Sequence, residues 1–252
     1  APLRQGLVVV QFALATLLVS GAALLGNQMA NLLRQDLGFV SSALLIARLS
    51  LPEVLDEAAH RRVLATYDEL LAGARALPGV RSAAITNEVP MGQLNTSMEV
   101  VAGGDPSRLR DAVQASWRIV SSDYLKTLSA NLLSGRDFQA NDENPHSIML
   151  SQALAQRLWP GGEDPIARQV TVGNGQTYTV TGIVADVRQL RLAEPPTPTM
   201  YFPTAWYVWP TMTLTLRSAG DPLALVAPLQ SLATRLLPNN PLFEVQALQS
   251  LI

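Results

Sequence analysis

The sequence predicts an α+β protein: an N-terminal transmembrane and stalk helix, then a split βαβ–βαβ layer carrying an inserted mixed α/β subdomain. Three observations predict it. No charged residue occurs from Gln5 to Leu33. The order strand, helix, Leu-Pro, strand occurs twice, ending in Leu77-Pro78 and again in Leu237-Pro238. The stretch between the two copies, Pro90 to Pro210, is rich in turns and short strands. The expected boundaries are residues 1–36 for the membrane and stalk helix, 37–89 with 211–252 for the layer, and 90–210 for the insertion.

The first element is LVVVQFALATLLVSGAALLG, Leu7 to Gly26. A bilayer core about 30 Å thick takes roughly 20 apolar helical residues, so this run is long enough to span it. A continuous helix from Gln5 to Leu33 would be about 43 Å long, which leaves its last turns as a stalk. A cleaved secretory signal is the competing reading, with Arg4 as the basic end and Ser20-Gly21-Ala22 as a small-residue cleavage site. The apolar stretch continues through Ala23, Leu24 and Leu25, and the helical pattern runs on to Leu32 and Leu33, which favours a retained helix. Arg4 places the N-terminal end in the cytoplasm. Ala22 and Gly26 form a small-xxx-small pair suited to packing on another helix, or are ordinary lipid-facing residues.

Ser42 to Ser50 (SALLIARLS) reads as a strand closed by Leu51-Pro52. Val63, Leu64, Tyr67, Leu70, Leu71, Ala74 and Leu77 then recur at helical spacing, and Pro78-Gly79 stops the helix. Val80 to Thr86 is the next strand, parallel to the first. At the other end, Thr211 to Leu216 (TMTLTL) alternates as a half-buried strand does. Asp221-Pro222 offers an N-cap and a first-turn proline, and Leu225 to Leu237 forms a helix face. Phe243-Glu244-Val245 restarts as a strand. Two such units make one four-stranded sheet with both helices on one face, a ferredoxin-like layer.

Inside the insertion, strands are expected at Ser97–Val101, Gln114–Val120 and Ile148–Leu150. Short helices are expected at Ser122–Leu128 and Gln152–Trp159. Gln169–Gly173 and Gln176–Val187 form a hairpin around Asn174-Gly175.

Bulk composition narrows the function. The chain has 252 residues, 48 % hydrophobic and 15 % charged, with a net charge of −2. It has no basic stripe, which argues against a nucleic-acid partner. It has no cysteine, and its two histidines, His60 and His146, lie far apart. Disulfides, thiolate ligands and a Cys nucleophile are therefore excluded, and a His-based metal or triad site is disfavoured. The chain begins at Ala1, so a longer parent is expected.

Several phrases of the insertion stand in a specific order. They are Tyr124-Leu125-Lys126-Thr127-Leu128, Gly135-Arg136-Asp137-Phe138, Arg157-Leu158-Trp159-Pro160, Asp164-Pro165-Ile166, Thr181-Gly182-Ile183-Val184 and Asp186-Val187. With Asp36-Leu37-Gly38-Phe39 and Leu77-Pro78-Gly79-Val80 on the flanks, nearly the whole chain resembles the MacB-like periplasmic core domain of FtsX-like ABC transporter permeases. Such a resemblance implies one transmembrane helix before a porter-like extracytoplasmic domain and three after it. It implies a dimer, or a pseudo-dimer in duplicated permeases, working with a cytoplasmic ABC ATPase that binds the ATP. It places the chain in the bacterial inner membrane with the residues after about 36 in the periplasm, acting in export or on a periplasmic protein partner. One departure is Ala167, where the family has Gly, which speaks against a tight positive-φ turn at that point.

No catalytic, cofactor-binding or metal-binding residue is expected. Gly103-Gly104 and Gly173-Asn174-Gly175 lack the spacing of a phosphate loop and read as turns. Asp137, Asp142 and Glu143 read as a solvated loop rather than a buried catalytic pair. Tyr201, Phe202, Trp206, Tyr207 and Trp209 are the candidates for partner contact, since Trp and Tyr are favoured in interface hot spots. The same side chains suit a core edge or a membrane interface equally well. The expected role is to couple transmembrane helix motion to the periplasmic domain, with hinges near Val89-Pro90 and Pro203 to Pro210. The alternative is a membrane-anchored ligand-binding or sensor domain.

Overall fold

The computed structural model describes residues 14–24, 26, 38–52, 56–90, 92, 96–139, 146–187 and 196–251. They belong to two compact units, Ala1–Leu37 and Gly38–Ile252. In the first unit, residues 14–24 form helix α1 and Gly26 is also helical. The side chains of α1 are exposed, Leu17 by 73 % and Val19 by 69 %. Among the described residues no helix is long and apolar enough to cross a membrane. The spanning helix expected over Gln5–Leu33 extends on both sides into residues outside the described ones. Ala22 and Gly26 are exposed within this unit, and a Cβ added to Gly26 meets nothing within 4 Å.

The second unit runs β1 (Leu44–Ser50), α2 (Glu57–Arg75), β2 (Val80–Thr86), β3 (Ser97–Ala102), β4 (Val113–Val120), α3 (Tyr124–Leu128), β5 (Leu132–Gly135) and β6 (Ser147–Ser151). It continues with α4 (Gln152–Leu158), β7 (Gln169–Val172), β8 (Thr177–Val184), β9 (Thr199–Pro203), β10 (Thr211–Ser218), α5 (Val226–Leu236) and β11 (Phe243–Ala247). β10 lies between β1 and β2 and is antiparallel to both, so β1 and β2 run parallel one strand apart. β11 pairs antiparallel with β1. The order β11-β1-β10-β2 is that of a ferredoxin-like layer.

The helices of this layer form for local reasons. Asp56 caps α2 by accepting from the Ala59 N–H at 2.6 Å. The Tyr67, Leu70, Leu71 and Ala74 stripe of α2 is buried, as the helical spacing requires. The Asp221-Pro222 start opens a 3₁₀ turn, Pro222–Leu225, and α5 follows from Val226. The helices touch closely. A Cβ on Gly73 of α2 would come within 2.8 Å of Leu232 Cδ1 of α5.

The strands of the insertion close on themselves. β4 pairs with β3, β3 with β7, β7 with β8, β8 with β6, β6 with β9, and β9 returns in parallel to β4. Closure removes the free edges of this six-stranded ring. β5 joins the outer part of β8. The β7–β8 hairpin turns at Asn174-Gly175, with Gly175 at φ +79°.

The turn after Asp164-Pro165-Ile166 corrects the expectation drawn from Ala167. Ala167 holds the positive-φ conformation itself, at φ +61°. Its N–H donates to Val180 O at 2.9 Å, and Arg168 Nε donates to Asp164 O at 2.8 Å. These bonds hold the turn that a glycine would adopt without strain. An L-residue in this region costs about 1–2 kcal/mol, and glycine gives back part of that through the unfolded chain. Ala167→Gly is therefore expected to stabilise the protein by about 1 kcal/mol, raising Tm by roughly 2–4 °C. Calorimetry checks this; an unchanged or lower Tm would show that the turn carries no strain.

Candidate functional site: the seam between the two sheet halves

The ferredoxin-like layer and the ring share one continuous sheet, but they meet at a narrow seam. β2 and β4 are joined by a single residue pair, Thr86 with Val120, against seven pairs along β1–β10. Two backbone bonds flank that pair: Asn87 N–H to Ile119 O at 3.2 Å and Ser121 N–H to Ile85 O at 2.9 Å. Side chains then take over from the ladder. Ile119 N–H donates to Asn87 Oδ1 at 2.8 Å, and Ile85 N–H donates to Ser121 Oγ at 2.9 Å. Polar residues at both strand ends thus satisfy buried N–H groups while the strands diverge. Beyond the seam β2 curls away, with Thr86 Oγ1 donating to Glu88 O at 2.9 Å and Val89 N–H donating to Glu88 Oε1 at 3.2 Å.

Strand alternation gives the seam two different faces. Trp117 and Ile119 of β4 are in register with Met200 and Phe202 of β9 and belong to the main core. Arg118 and Tyr201, also in register, point to the opposite side. Arg118 is fully buried. Its Nη1 donates to Trp117 O at 2.7 Å and to Ser116 Oγ at 3.4 Å. Burial pushes the Arg118 pKa below its ordinary value, and nearby Tyr124, Tyr201 and Glu88 push it back up. Burial likewise raises the Tyr124 pKa. Tyr124 belongs to α3, whose ring lies 6.4 Å from that of Tyr201.

Helix α3 is the foot of the insertion. It follows β4 directly and packs on β2 and β10 of the ferredoxin-like layer. Positive-φ residues bracket it, Asp123 at +65° and Ser129 at +54°. Tyr124, Leu125 and Leu128 are buried beneath it. The polar ties across to the layer are an Arg75–Asp123 ion pair at 3.4 Å and a bond from Arg217 Nε to Thr127 O at 2.7 Å.

The five aromatic residues singled out for partner contact divide by depth. Tyr201 and Phe202 lie in β9 at 1 % and 0 % exposure, with β4 on one side and β6 on the other. Their rings fill the interior and are not offered to a partner. Trp206, Tyr207 and Trp209 are half-buried and cover the core at the approach to β10. Trp206 stacks on Phe202 at 4.3 Å, and Trp117 meets Trp206 and Trp209 edge-on at 5.7 and 5.5 Å. Offset and edge contacts of this kind bind the β9–β10 connection to the ring.

The other candidates remain dispersed. Among the described residues no group of three or more His, Cys, Asp or Glu could hold a metal ion. Asp142 and Glu143 lie outside the described residues. Asp137 caps its own turn, accepting from Phe138 N–H at 2.7 Å, and burial raises its pKa. His146 lies beside Tyr178 at 5.9 Å, remote in sequence from His60 in α2. Gly103 turns at φ +98°, with its N–H on Gln169 O. An open cleft of about 460 Å³ runs past Leu51, Asp56, Arg62 and Leu237, where Asp56 is already engaged as the α2 cap.

Sequence reading missed Arg118, Arg217 and the foot as parts of one seam. The only local signal was a charged residue set between apolar neighbours in Trp117-Arg118-Ile119-Val120.

Comparison with known proteins bears on the whole unit. The fold is similar to the periplasmic region of MacB from Actinobacillus actinomycetemcomitans, with a TM-score of 0.55 at 13 % identity, covering 87 % of this chain and 95 % of that one. It is also similar to the extracellular domain of the noncanonic ABC-type transporter YknZ from Gram-positive bacteria, with a TM-score of 0.50 at 15 % identity, covering 79 % and 100 %. Comparison with curated protein sequences finds no match. The family model described as the MacB-like periplasmic core domain matches residues 7–232. Through that match the chain belongs to the MacB-like periplasmic core domain family of ABC transporter permeases.

Proposed function

We propose that this domain is non-catalytic and couples transmembrane helix motion, driven by a cytoplasmic ABC ATPase, to export or to action on a periplasmic protein. In this reading the helix over Gln5–Leu33 spans the bacterial inner membrane and the residues after about 36 lie in the periplasm. The permease works as a dimer or as a pseudo-dimer of duplicated halves, and ATP binds on the ATPase. The ferredoxin-like layer and the ring shift against each other at the β2–β4 seam, with the Pro203 to Pro210 connection following.

The observation that carries this reading is the single Thr86–Val120 pair between halves whose own strands are extensively paired. So few backbone pairs make this seam the line about which the angle between the halves is expected to change, above an apolar core that both halves share. The Arg75–Asp123 ion pair of the foot is weak enough to slide, since partly exposed ion pairs contribute about 0–1 kcal/mol. Interdomain rotation about such a line is an established kind of switching movement.

These 252 residues contain no cysteine, so within the domain spin labels attach only at introduced cysteines; any cysteine elsewhere in the permease or its ATPase is replaced first. Ala65 on α2 and Gln156 on α4 are exposed and lie in the two halves. In the intact permease with its ATPase in a membrane, the distance between these labels is expected to differ between nucleotide-free and ATP-bound states. Pulsed electron resonance reads it. Identical distance distributions in every nucleotide state would refute movement at the seam.

A further inference from the structure

The segment that leads into β1, residues 38–43, is tied to both halves of the sheet at once. Gly38 has φ +74°, and a Cβ there would collide with the Asp186 carbonyl oxygen and lie 3.1 Å from Val187 Cα. Phe39 is buried. Val40 N–H donates to Leu128 O of α3 at 2.9 Å. Arg217 of β10 closes over the segment, with Nη2 donating to Val40 O at 2.8 Å and Nη1 to Ser42 O at 3.3 Å. The Nε of the same guanidinium holds Thr127 O of α3. One planar fork therefore binds the incoming chain and the foot together, a task suited to the rigid donor array of arginine.

Asp186 carries the tie onward. It follows β8, and its Oδ1 accepts from Ala153 N–H at 2.8 Å in the first turn of α4. The same residue thus meets Gly38 through its backbone and α4 through its side chain. Gly38 is the residue that permits this approach, because no other side chain fits against that carbonyl in this conformation.

We infer that residues 38–43 are a strap that couples the start of the domain to helix α4 of the ring, through Gly38 against Asp186 and Asp186 against Ala153, with Arg217 as the clasp. This deepens the proposed coupling role and rests on it for its purpose, though the geometry stands by itself. Displacing the strap shifts the Asp186 backbone, and the Ala153 bond shifts with it. By linkage, disturbance at α4 acts back on the strap to the same extent.

Amide hydrogen exchange of the full chain in detergent, read residue by residue, tests the strap. Gly38→Ala is expected to speed exchange at Ala153 by roughly tenfold or more, within the usual range of coupling between sites. Leu70 in α2 should keep its protection. Arg217→Gln opens the clasp without adding bulk, and it should speed exchange at Val40 and at Ala153 together. Asp186→Asn keeps the Oδ1 acceptor and should leave Ala153 protected. Unchanged exchange at Ala153 in both Gly38→Ala and Arg217→Gln would overturn the strap. A uniform rise that includes Leu70 would overturn it too, because that pattern is global loosening. The experiment uses no ATPase, so its failure is distinct from an absence of nucleotide-dependent movement at the seam.

Discussion

Gly135→Ala is expected to destabilise the domain by about 3 kcal/mol, the largest effect of any single methyl added at a glycine of β5 or β8. Two costs combine there. Gly135 has φ +76°, where an L-residue costs about 1–2 kcal/mol. Its Cβ would also run into the Thr181 carbonyl oxygen, with Ile166 Cδ1 at 2.7 Å and Gly182 Cα at 2.9 Å. Overpacking of this kind costs a further 1–3 kcal/mol, roughly. The obstacle is backbone, which cannot swing aside as a side-chain end does. Gly162→Ala provides the control, since Gly162 has φ +78° but nothing within 4 Å of an added Cβ. It should cost only the conformational share, about 1 kcal/mol. Urea unfolding of both variants separates the two costs. Equal destabilisation would show that the close approach of β5 to β8 contributes nothing.

That crossing also explains why scattered phrases of the sequence belong together. Gly135-Arg136-Asp137-Phe138, Asp164-Pro165-Ile166 and Thr181-Gly182-Ile183-Val184 are far apart in the chain, yet they converge at one point. Arg136 N–H donates to Thr181 O at 2.8 Å, and a Cβ on Gly182 would lie 2.6 Å from Arg136 O. Ordered phrases therefore reported a real packing constraint, although nothing in any one of them shows it. The repeated βαβ pattern was legible for a different reason. Each copy buries one stripe of its helix on the sheet, so periodicity and Leu-Pro stops carry the signal.

Closure of the ring was not legible. β4 and β9 pair in parallel across a long separation, and pairing partners leave no mark on local alternation. The burial of β9 was not legible either, because Tyr201 and Phe202 suit an interface and a core equally. β5 is four residues long and mostly exposed, too short and polar to show a strand period. The seam was missed because it depends on which residues of β4 stay unpaired, a property of three-dimensional neighbours. Ala167 misled in the opposite direction. A local strain penalty is tolerated there because the turn is held from both sides by hydrogen bonds.

Bridging the two halves at the foot should abolish the coupled function while leaving ATPase assembly intact. Arg75 on α2 and Asp123 before α3 are the pair to use. Their side chains meet at 3.4 Å across the halves and are 35 % and 37 % exposed, open to thiol reagents once replaced. Loss of the ion pair is cheap, about 0–1 kcal/mol, and the Arg75 Nη2 bond to Ala83 O at 3.1 Å goes with it at about 1 kcal/mol, so Arg75→Cys with Asp123→Cys should still fold and function before treatment. These 252 residues contain no native cysteine, so within the domain a short bifunctional reagent meets only these two sites, once any cysteine elsewhere in the permease and its ATPase has been replaced. A cleavable bridge then fixes the foot to the layer and prevents any change of angle at Thr86–Val120. The decisive measurement is ATP-dependent function of the intact permease with its ATPase, before bridging, after bridging and after cleavage. Coupled movement predicts loss on bridging, recovery on cleavage and unchanged copurification of the ATPase. Full activity with the bridge complete by mass spectrometry would contradict it.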